Sequence, residues 1–217
     1  MKTESGNKLE TLLLILNESD LLDAGSIENL FSRFSVIENE GVLNLIIYVD
    51  FLKTISTERK NDLIQYFKNQ IQTVSKKIAF DSERLAIVEN YDNSDSVQFE
   101  SGSESTSKSG QLSVLFVFDL GGRDELKRIL SDFIVKCEKN EANPNEMTSK
   151  YISSQLKLPF EPDFVMSHTK NTLTDFMLWQ TVYSEYYFFE KDIRRLTDAD
   201  FKKAFDSFYK RERRYGA

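Results

Sequence analysis

The sequence predicts an α/β protein: a single domain built on a mostly parallel sheet of about six strands, wrapped by helices. Short continuous apolar runs, such as residues 11–16 (TLLLIL) and 43–49 (LNLIIYV), lack the polar alternation of a sheet with one solvated face. Such runs are typical of strands buried on both faces. Segments of helical periodicity alternate with these strands, which favours a parallel sheet covered by helices.

Length and composition agree with this fold class. The 217 residues, with 40% apolar and 12% aromatic side chains, fit one sizeable domain, which we place at residues 8–217. The net charge of −7 argues against a general nucleic-acid surface. The single cysteine, Cys137, excludes an internal disulfide, fits a reducing compartment and lies in a helical pattern as a packing residue. With no signal-peptide pattern and no apolar run long enough to span a membrane, we expect a cytoplasmic protein that contacts membranes only through a complex.

The first part of the chain predicts two strands joined by a helix. After the strand at residues 11–16, a polar break leads into a helix that Ser26 caps and Gly41 ends. The apolar face of this helix consists of Ile27, Leu30, Phe31, Phe34 and Ile37. The second strand follows at residues 43–49.

A long helix and an insertion come next. The helix is predicted from Ser56 because apolar residues recur at spacings of three and four. These residues are Leu63, Phe67, Ile71, Val74 and Ile78. A third strand at 84–88 precedes residues 90–111, which are dense in Ser, Asp, Glu and Gly. We predict that residues 90–111 form a flexible surface insertion within the domain.

The second half continues the alternation of strands and helices. In chain order, the predicted elements are a strand at 112–118, a helix from Arg123, a short helix opened by Thr148 or Ser149, a strand at 164–166, a helix at 175–183, a strand at 186–189, and a helix capped by Asp198 that runs to Arg213. No internal repeat is present.

Two stretches carry chemical signals. Residues 117–126 (VFDLGGRDEL) place two glycines between a strand and a helix, so backbone N–H groups at the helix start face the crevice at the end of the strand. Glycines also serve tight turns that bind nothing. Residues 161–189 are rich in large rings, which indicates core, a subunit interface, or both. The rings are Trp179, Tyr183, Tyr186, Tyr187, Phe188 and Phe189.

Residues 211–217 (RERRYGA) form a small cationic segment in an acidic protein. Cations and glycine are favoured at the end of a helix, because the helix dipole is negative there and glycine tolerates left-handed dihedrals. A solvated helix end is therefore one interpretation of this segment.

Taken in order, these stretches resemble the cis-prenyltransferase family, which includes undecaprenyl and dehydrodolichyl diphosphate synthases. The resemblance runs from Thr11 to Gly216, outside the insertion. It rests on GGRDEL, on the pattern WQ-x-x-Y-x-E-x-x-F at residues 179–188, and on RRYG. It implies a helix-wrapped parallel sheet that works as a dimer and condenses isopentenyl diphosphate onto an allylic diphosphate with magnesium. Arginines, backbone amides and magnesium are suited to holding the two diphosphates.

The chain departs from the family after its first strand. Family enzymes have a loop of the form Asp-Gly-Asn-Gly-Arg-Trp there, whose aspartate is linked to magnesium and whose glycines and arginine hold the allylic diphosphate. The matching residues here are Asn17, Glu18, Ser19 and Asp20. The aspartate has become an amide, the glycines are absent, and two carboxylates would repel phosphate. We expect no catalytic and no metal-binding residue in this chain.

A second departure follows Asp163, where two family arginines are missing. Lys170 restores charge in part, without the two-pronged geometry of a guanidinium. Thr174 can replace a family serine. His168, the only histidine, matches no functional position of the family, which favours a loop residue without a ligand.

The segment that keeps the family pattern is Arg214–Gly216. In the family, its arginine and a backbone amide hold isopentenyl diphosphate in the neighbouring subunit's site, so Arg214 and Gly216 are predicted to bind that substrate in trans. Glu185 matches a family glutamate that helps to bind magnesium. The predicted interface residues are Trp179, Tyr183, Glu185 and Tyr187.

A chain that loses its own substrate loop and keeps the trans-acting segment resembles the accessory subunit, of the Nogo-B receptor type, of heteromeric cis-prenyltransferases. This resemblance implies a catalytic partner subunit that binds the magnesium, prenyl diphosphate substrates, and a heterodimer or heterotetramer. Two alternatives stay open: an active homodimeric prenyltransferase with a divergent phosphate loop, and a scaffold without substrate contact.

Overall fold

The structure, a computed structural model, describes residues 8–23, 25–89, 110–167, 175–191 and 193–211. It contains a six-stranded sheet in the order β3-β4-β2-β1-β5-β6, with every neighbouring pair parallel. The strands are β1 (Thr11–Asn17), β2 (Asn44–Asp50), β3 (Leu85–Glu89), β4 (Ser113–Phe118), β5 (Phe164–Ser167) and β6 (Glu185–Phe188). The α-helices are α1 (Ser26–Ser32), α2 (Phe34–Asn39), α3 (Thr57–Lys77), α4 (Gly122–Glu138), α5 (Ser149–Gln155) and α6 (Asp198–Tyr209). The predicted fold class is confirmed.

The sheet separates two apolar cores because successive side chains of a strand point to opposite faces. On β1, Leu12 and Leu14 belong to the core that also holds buried residues of α1, α2, α3 and α6, whereas Leu13 and Ile15 belong to the other core. The second core is closed by residues from loops, including Leu158 and Phe176. Burial on both faces explains why the strands read as continuous apolar runs.

A side-chain cap fixes the start of α3 as predicted, whereas the predicted cap of α1 is wrong. Ser56 caps α3 by accepting a hydrogen bond from the backbone N–H of Arg59 at 3.3 Å. Ser26, however, does not cap α1. Gly25 is the N-cap, with φ of 83°, and Ser26 is the first helical residue. Glycine adopts these left-handed dihedrals at little cost. The single predicted helix is also divided at Arg33 into α1 and α2.

Two predictions in the second half are wrong. Residues 175–183 form turns rather than a helix, and Met177 has a left-handed φ of 52°, which breaks helical geometry. The last helix is capped by Thr197, not Asp198, and ends at Tyr209 rather than Arg213. Thr197 and Asp200 satisfy each other's backbone N–H groups, which fixes this start.

Residues 90–109, which hold nearly all of the predicted insertion, lie outside the described residues, so the insertion stays a prediction. Within the part of the chain that the structure describes, no helix has the length and apolar character required to cross a membrane.

Candidate functional site

The candidate site lies where the parallel strands end, since all six carboxyl ends meet at one edge of the sheet. Asn17 at the end of β1 is directly opposite Asp50 at the end of β2. Asp119 follows β4, the next strand along the edge. Polar residues from three neighbouring strands therefore lie close together.

The segment after β1 is a closed acidic turn rather than an open phosphate loop. Residues Glu18–Leu21 form a short 3-10 helix, in which Glu18 is 5% exposed and Asp20 is 2% exposed. Asp20 Oδ2 accepts a hydrogen bond from the backbone N–H of Asn17 at 2.7 Å. Glu18 Oε2 is buried and has no hydrogen-bond partner among the described residues. The two buried carboxylates occupy the place where the resemblance predicts a diphosphate loop in catalytic relatives.

Neighbouring carboxylates extend this acidic character. Burial raises the pKa of Asp50, and the negative charges of Asp175 and Glu18 raise it further, while Lys53 opposes the shift. Lys60 Nζ lies 2.6 Å from Asp119 Oδ1 and neutralises that carboxylate. We call Glu18, Asp20, Asp50 and Asp175 the acidic edge.

The Gly121–Gly122 turn allows the backbone of residues 175–178 to lie close to the start of α4. The N–H of Gly122 at the start of α4 donates to the carbonyl of Asp175 at 2.7 Å, so this N–H is satisfied by the chain itself. A β-carbon on Gly122 would overlap the carbonyl oxygen of Asp175 and lie 3.0 Å from the backbone nitrogen of Leu178. The turn therefore holds residues 175–178 against α4, and the interpretation of the glycines as a tight turn is favoured.

Hydrogen bonds attach further residues of the segment 175–184 to neighbouring elements. The Gln180 side chain donates to the carbonyl of Leu158 at 3.2 Å, and Glu125 Oε1 accepts from the N–H of Lys157 at 2.7 Å. Burial raises the pKa of Glu125. Trp179 Nε1 donates to Ser153 Oγ at 3.0 Å. The segment is thereby fixed to α4, to α5 and to the loop before β5.

The four predicted interface residues have different surroundings. Tyr183 is 65% exposed, as is its neighbour Val182, whereas Trp179 is half-buried against α5. Tyr187 packs against the core through Phe164 and Phe189. Glu185 is paired with Arg211. Tyr183 therefore offers the largest exposed ring of the four, and the interface itself stays a prediction.

The contacts of Arg211 do not agree with the interpretation that this residue is part of a solvated helix end. Its guanidinium donates to Glu185 Oε2 at 2.8 Å and to the carbonyl of Tyr186 at 2.9 Å. Its partners are some 25 residues away in sequence and on another element, so local helix chemistry does not reveal them. Arg214 and Gly216, together with His168, Lys170 and Thr174, lie outside the described residues, and their predicted roles stay predictions.

Sequence reasoning also missed Asp50 and Asp175 as members of the site. The parallel pairing of β1 and β2 places Asn17 opposite Asp50, so the residue that directly follows each predicted strand was a usable signal for Asp50. Asp175 had no such signal, because it reaches the edge through the non-helical turns of its segment.

A cavity beside the end of β1 is small. Its walls are formed by Leu16, Asp20, Leu21, Ser26, Asn29, Leu30, Arg33, Arg194 and Phe201, and its volume is about 20 Å³. That volume holds about one water molecule. Pockets for small organic ligands measure roughly 300–1,000 Å³. This cavity therefore has no room for a prenyl chain.

The described residues also do not form a metal-binding group. Within residues 8–23, 25–89, 110–167, 175–191 and 193–211, no set of three or more histidine, cysteine or carboxylate side chains is arranged to hold a metal ion. The expectation that magnesium is bound mainly by a partner subunit stays a prediction.

Comparison with known structures supports the fold. The crystal structure of lavandulyl diphosphate synthase from Lavandula x intermedia in complex with dimethylallyl diphosphate has a TM-score of 0.71 at 18% identity, covering 96% of this chain and 98% of that one. A "probable undecaprenyl diphosphate synthase" from Campylobacter jejuni has a TM-score of 0.65 at 23% identity, covering 97% and 100%. At these identities the similarity concerns the fold alone.

Sequence comparison identifies the family. An isoprenyl transferase of Thermotoga maritima is 34% identical over 116 residues, which cover 52% of this chain and 49% of that protein. The chain spans about half the length of the curated relatives it matches. The Prenyltransf family model, described as "Putative undecaprenyl diphosphate synthase", matches residues 44–216, from the first residue of β2 onward. The chain therefore belongs to the undecaprenyl diphosphate synthase family of prenyltransferases.

Proposed function

We propose that this chain is the non-catalytic subunit of a heteromeric cis-prenyltransferase. Its catalytic partner makes long-chain polyprenyl diphosphate from isopentenyl diphosphate and an allylic diphosphate, and this chain contributes Arg214 and Gly216 to the partner's isopentenyl diphosphate site. The observation that carries the proposal is the acidic edge, which stands where a catalytic member of the family needs a phosphate-binding loop.

Charge makes the acidic edge a poor diphosphate site. Two like unit charges 4 Å apart repel by about 4 kcal/mol at an effective dielectric constant near 20. Glu18 and Asp20 are buried, so water screens their charges weakly. The N–H of Gly122, a donor that could hold a phosphate oxygen, is bonded to Asp175. A diphosphate at this edge would meet repulsion where it requires hydrogen-bond donors.

The range of residues that the family model matches is consistent with a non-catalytic chain and a catalytic partner. It begins at residue 44 and so leaves out β1 and the acidic turn, whereas it extends to residue 216 and includes Arg214 and Gly216. Magnesium in this proposal is bound mainly by the partner.

The first prediction concerns the isolated chain. We expect no polyprenyl diphosphate when the pure protein is incubated with farnesyl diphosphate, radiolabelled isopentenyl diphosphate and magnesium. Product is expected when a family member with an intact Asp-Gly-Asn-Gly-Arg-Trp loop from the same genome is added. That catalytic member is assayed alone in parallel, so that the gain on mixing can be measured.

Turnover by the isolated chain would favour the active homodimeric alternative. A contaminating synthase is excluded by assaying an Asn17→Ala variant purified in the same way. Activity that disappears in this variant belongs to the chain and contradicts the proposal, whereas activity that does not follow the amount of this chain across purification fractions comes from a contaminant.

A second prediction concerns the partner surface. Because Tyr183 is exposed, Tyr183→Ala is expected to leave the melting temperature unchanged and to weaken subunit association. An interface aromatic contributes on the order of 2 kcal/mol or more, which corresponds to a roughly 30-fold higher dissociation constant. Tyr66→Ala, an exposed tyrosine on α3, is the matched control. Analytical ultracentrifugation measures association of the folded protein.

Trp179→Ala is also expected to weaken association, but the hydrogen bond from Trp179 to Ser153 means that this variant also loosens the subunit. An unchanged dissociation constant for Tyr183→Ala, together with unchanged pairing of the folded Trp179→Ala protein, would show that residues 176–189 are not the interface.

A further inference from the structure

Arg211 joins the end of α6 to the edge strand β6. One guanidinium nitrogen donates to Glu185 Oε2 at 2.8 Å and to the carbonyl of Tyr186 at 2.9 Å, while the other lies 3.4 Å from Ser207 Oγ. We infer that Arg211, Glu185 and the Tyr186 carbonyl form a clamp that positions Arg214 for the partner's site. This inference rests on the proposed function, because it assigns a role to residues that would support the trans-acting segment.

The open edge of the sheet explains why a guanidinium fits here. β6 is the last strand of the sheet, and the N–H groups of Glu185 and Phe189 donate to the carbonyls of Asp163, directly before β5, and Ser167, the last residue of β5. Backbone groups of alternate residues point to opposite sides of a strand, so the Tyr186 carbonyl faces away from β5. An unpaired carbonyl at a sheet edge requires a donor, and Arg211 provides one.

The hydrogen bonds of the clamp restrain the Arg211 side chain more strongly than a charge contact alone would. Glu185 and Arg211 are both part-buried, and charge-assisted hydrogen bonds are shorter and stronger than neutral ones. The same guanidinium bonds a side chain and a backbone carbonyl of the same strand, which restrains its position along β6. Glu185 is therefore engaged within this chain, in contrast to the magnesium-linked role that the family resemblance implies.

Covalent geometry makes the position of Arg211 important. Consecutive residues of any chain advance at most about 3.6 Å, so an anchored residue limits a residue three positions further along to a distance of about 11 Å between the two Cα atoms. Under the proposed function, anchoring of Arg211 therefore limits how far from the β6 edge Arg214 can act. Release of Arg211 would enlarge the set of directions available to Arg214 and lower the fraction of time it spends at the substrate.

The test combines kinetics with a measurement that does not depend on activity. In the reconstituted complex, Arg211→Ala and Glu185→Gln are expected to raise the KM for isopentenyl diphosphate by about 10-fold, with the KM for the allylic diphosphate unchanged. Arg211→Lys is expected to recover part of this loss, since lysine keeps the charge without the guanidinium fork. Lys203→Ala, an exposed cation on α6, is the control.

The second measurement is hydrogen exchange in the isolated chain. Amides of residues 212–217 are expected to exchange faster in Arg211→Ala and Glu185→Gln than in Lys203→Ala, while amides of β1 keep their protection. The clamp is overturned if neither the exchange nor the KM for isopentenyl diphosphate changes. If Arg214→Ala is fully active, the proposed function fails, and the exchange result alone then decides whether Arg211 and Glu185 restrain this segment.

Discussion

Arg214→Ala is expected to slow polyprenyl synthesis by the reconstituted complex by about 10- to 100-fold while leaving assembly intact. A hydrogen bond to a charged group contributes roughly 1.5–3 kcal/mol, and a guanidinium can donate two in parallel to a diphosphate. Each 1.36 kcal/mol of lost transition-state stabilisation is a tenfold loss of rate. Steady-state kinetics of the complex, with its assembly checked by size-exclusion chromatography, measures this effect.

Gly216 tests the same site by a different physical property. Its lack of a side chain would let a backbone amide approach the phosphate, so a bulky residue there is expected to lower activity without any change of charge. Arg213→Ala and Lys203→Ala are the charge controls. Arg211 is unsuitable as a control, because it is bonded to Glu185 and Tyr186. If Arg214 proves as dispensable as Lys203, the scaffold alternative is favoured.

The strands and the starts of α3 and α5 could be predicted from the sequence because their causes are local. Burial on both faces makes each strand a continuous apolar run, as at residues 11–16, and Ser56 caps α3 through its own side chain. Glu18 and Asp20 were also readable as residues that repel phosphate, since their charge does not depend on the fold.

The wrong predictions have one cause in common, which is contact between residues that are far apart in the sequence. Residues 175–183 are predicted to be a helix, yet Met177 is left-handed and the Asp175 carbonyl accepts from Gly122, more than 50 residues earlier in the chain. Tertiary contacts of this kind override local propensity. Arg211 is similar, because its partners on β6 become neighbours only when the sheet and α6 have packed. The parts of the site that the sequence predicted least well are those formed by such long-range contacts.

The contact between Gly122 and Asp175 leads to the second large expected effect. Gly122→Ala is expected to lower the free energy of unfolding by roughly 2–3 kcal/mol, the upper part of the range for overpacking a close contact. The added methyl group would overlap the Asp175 carbonyl oxygen and crowd the Leu178 nitrogen, and both are backbone atoms that cannot move by changing a rotamer. The better helix propensity of alanine, about 1 kcal/mol, offsets only part of this cost.

Gly121→Ala is the matched control for this substitution. A β-carbon on Gly121 would meet only carboxylate oxygens, of Asp124 and Asp175, at 3.5 Å, and the φ of −84° suits any residue. Its cost is therefore expected to stay below about 1 kcal/mol, the usual range for a changed N-cap.

In a thermal melt, Gly122→Ala should lower the melting temperature by roughly 4–12 °C, since 1 kcal/mol shifts the melting temperature of a domain this size by about 2–4 °C. Because residues 175–184 include Trp179 and Tyr183 of the predicted interface, Gly122→Ala should weaken association along with Tyr183→Ala, whereas Gly121→Ala should not. Equal melting temperatures for the two glycine variants would mean that residues 175–178 do not lie against α4, and the proposed position of the interface would lose its support.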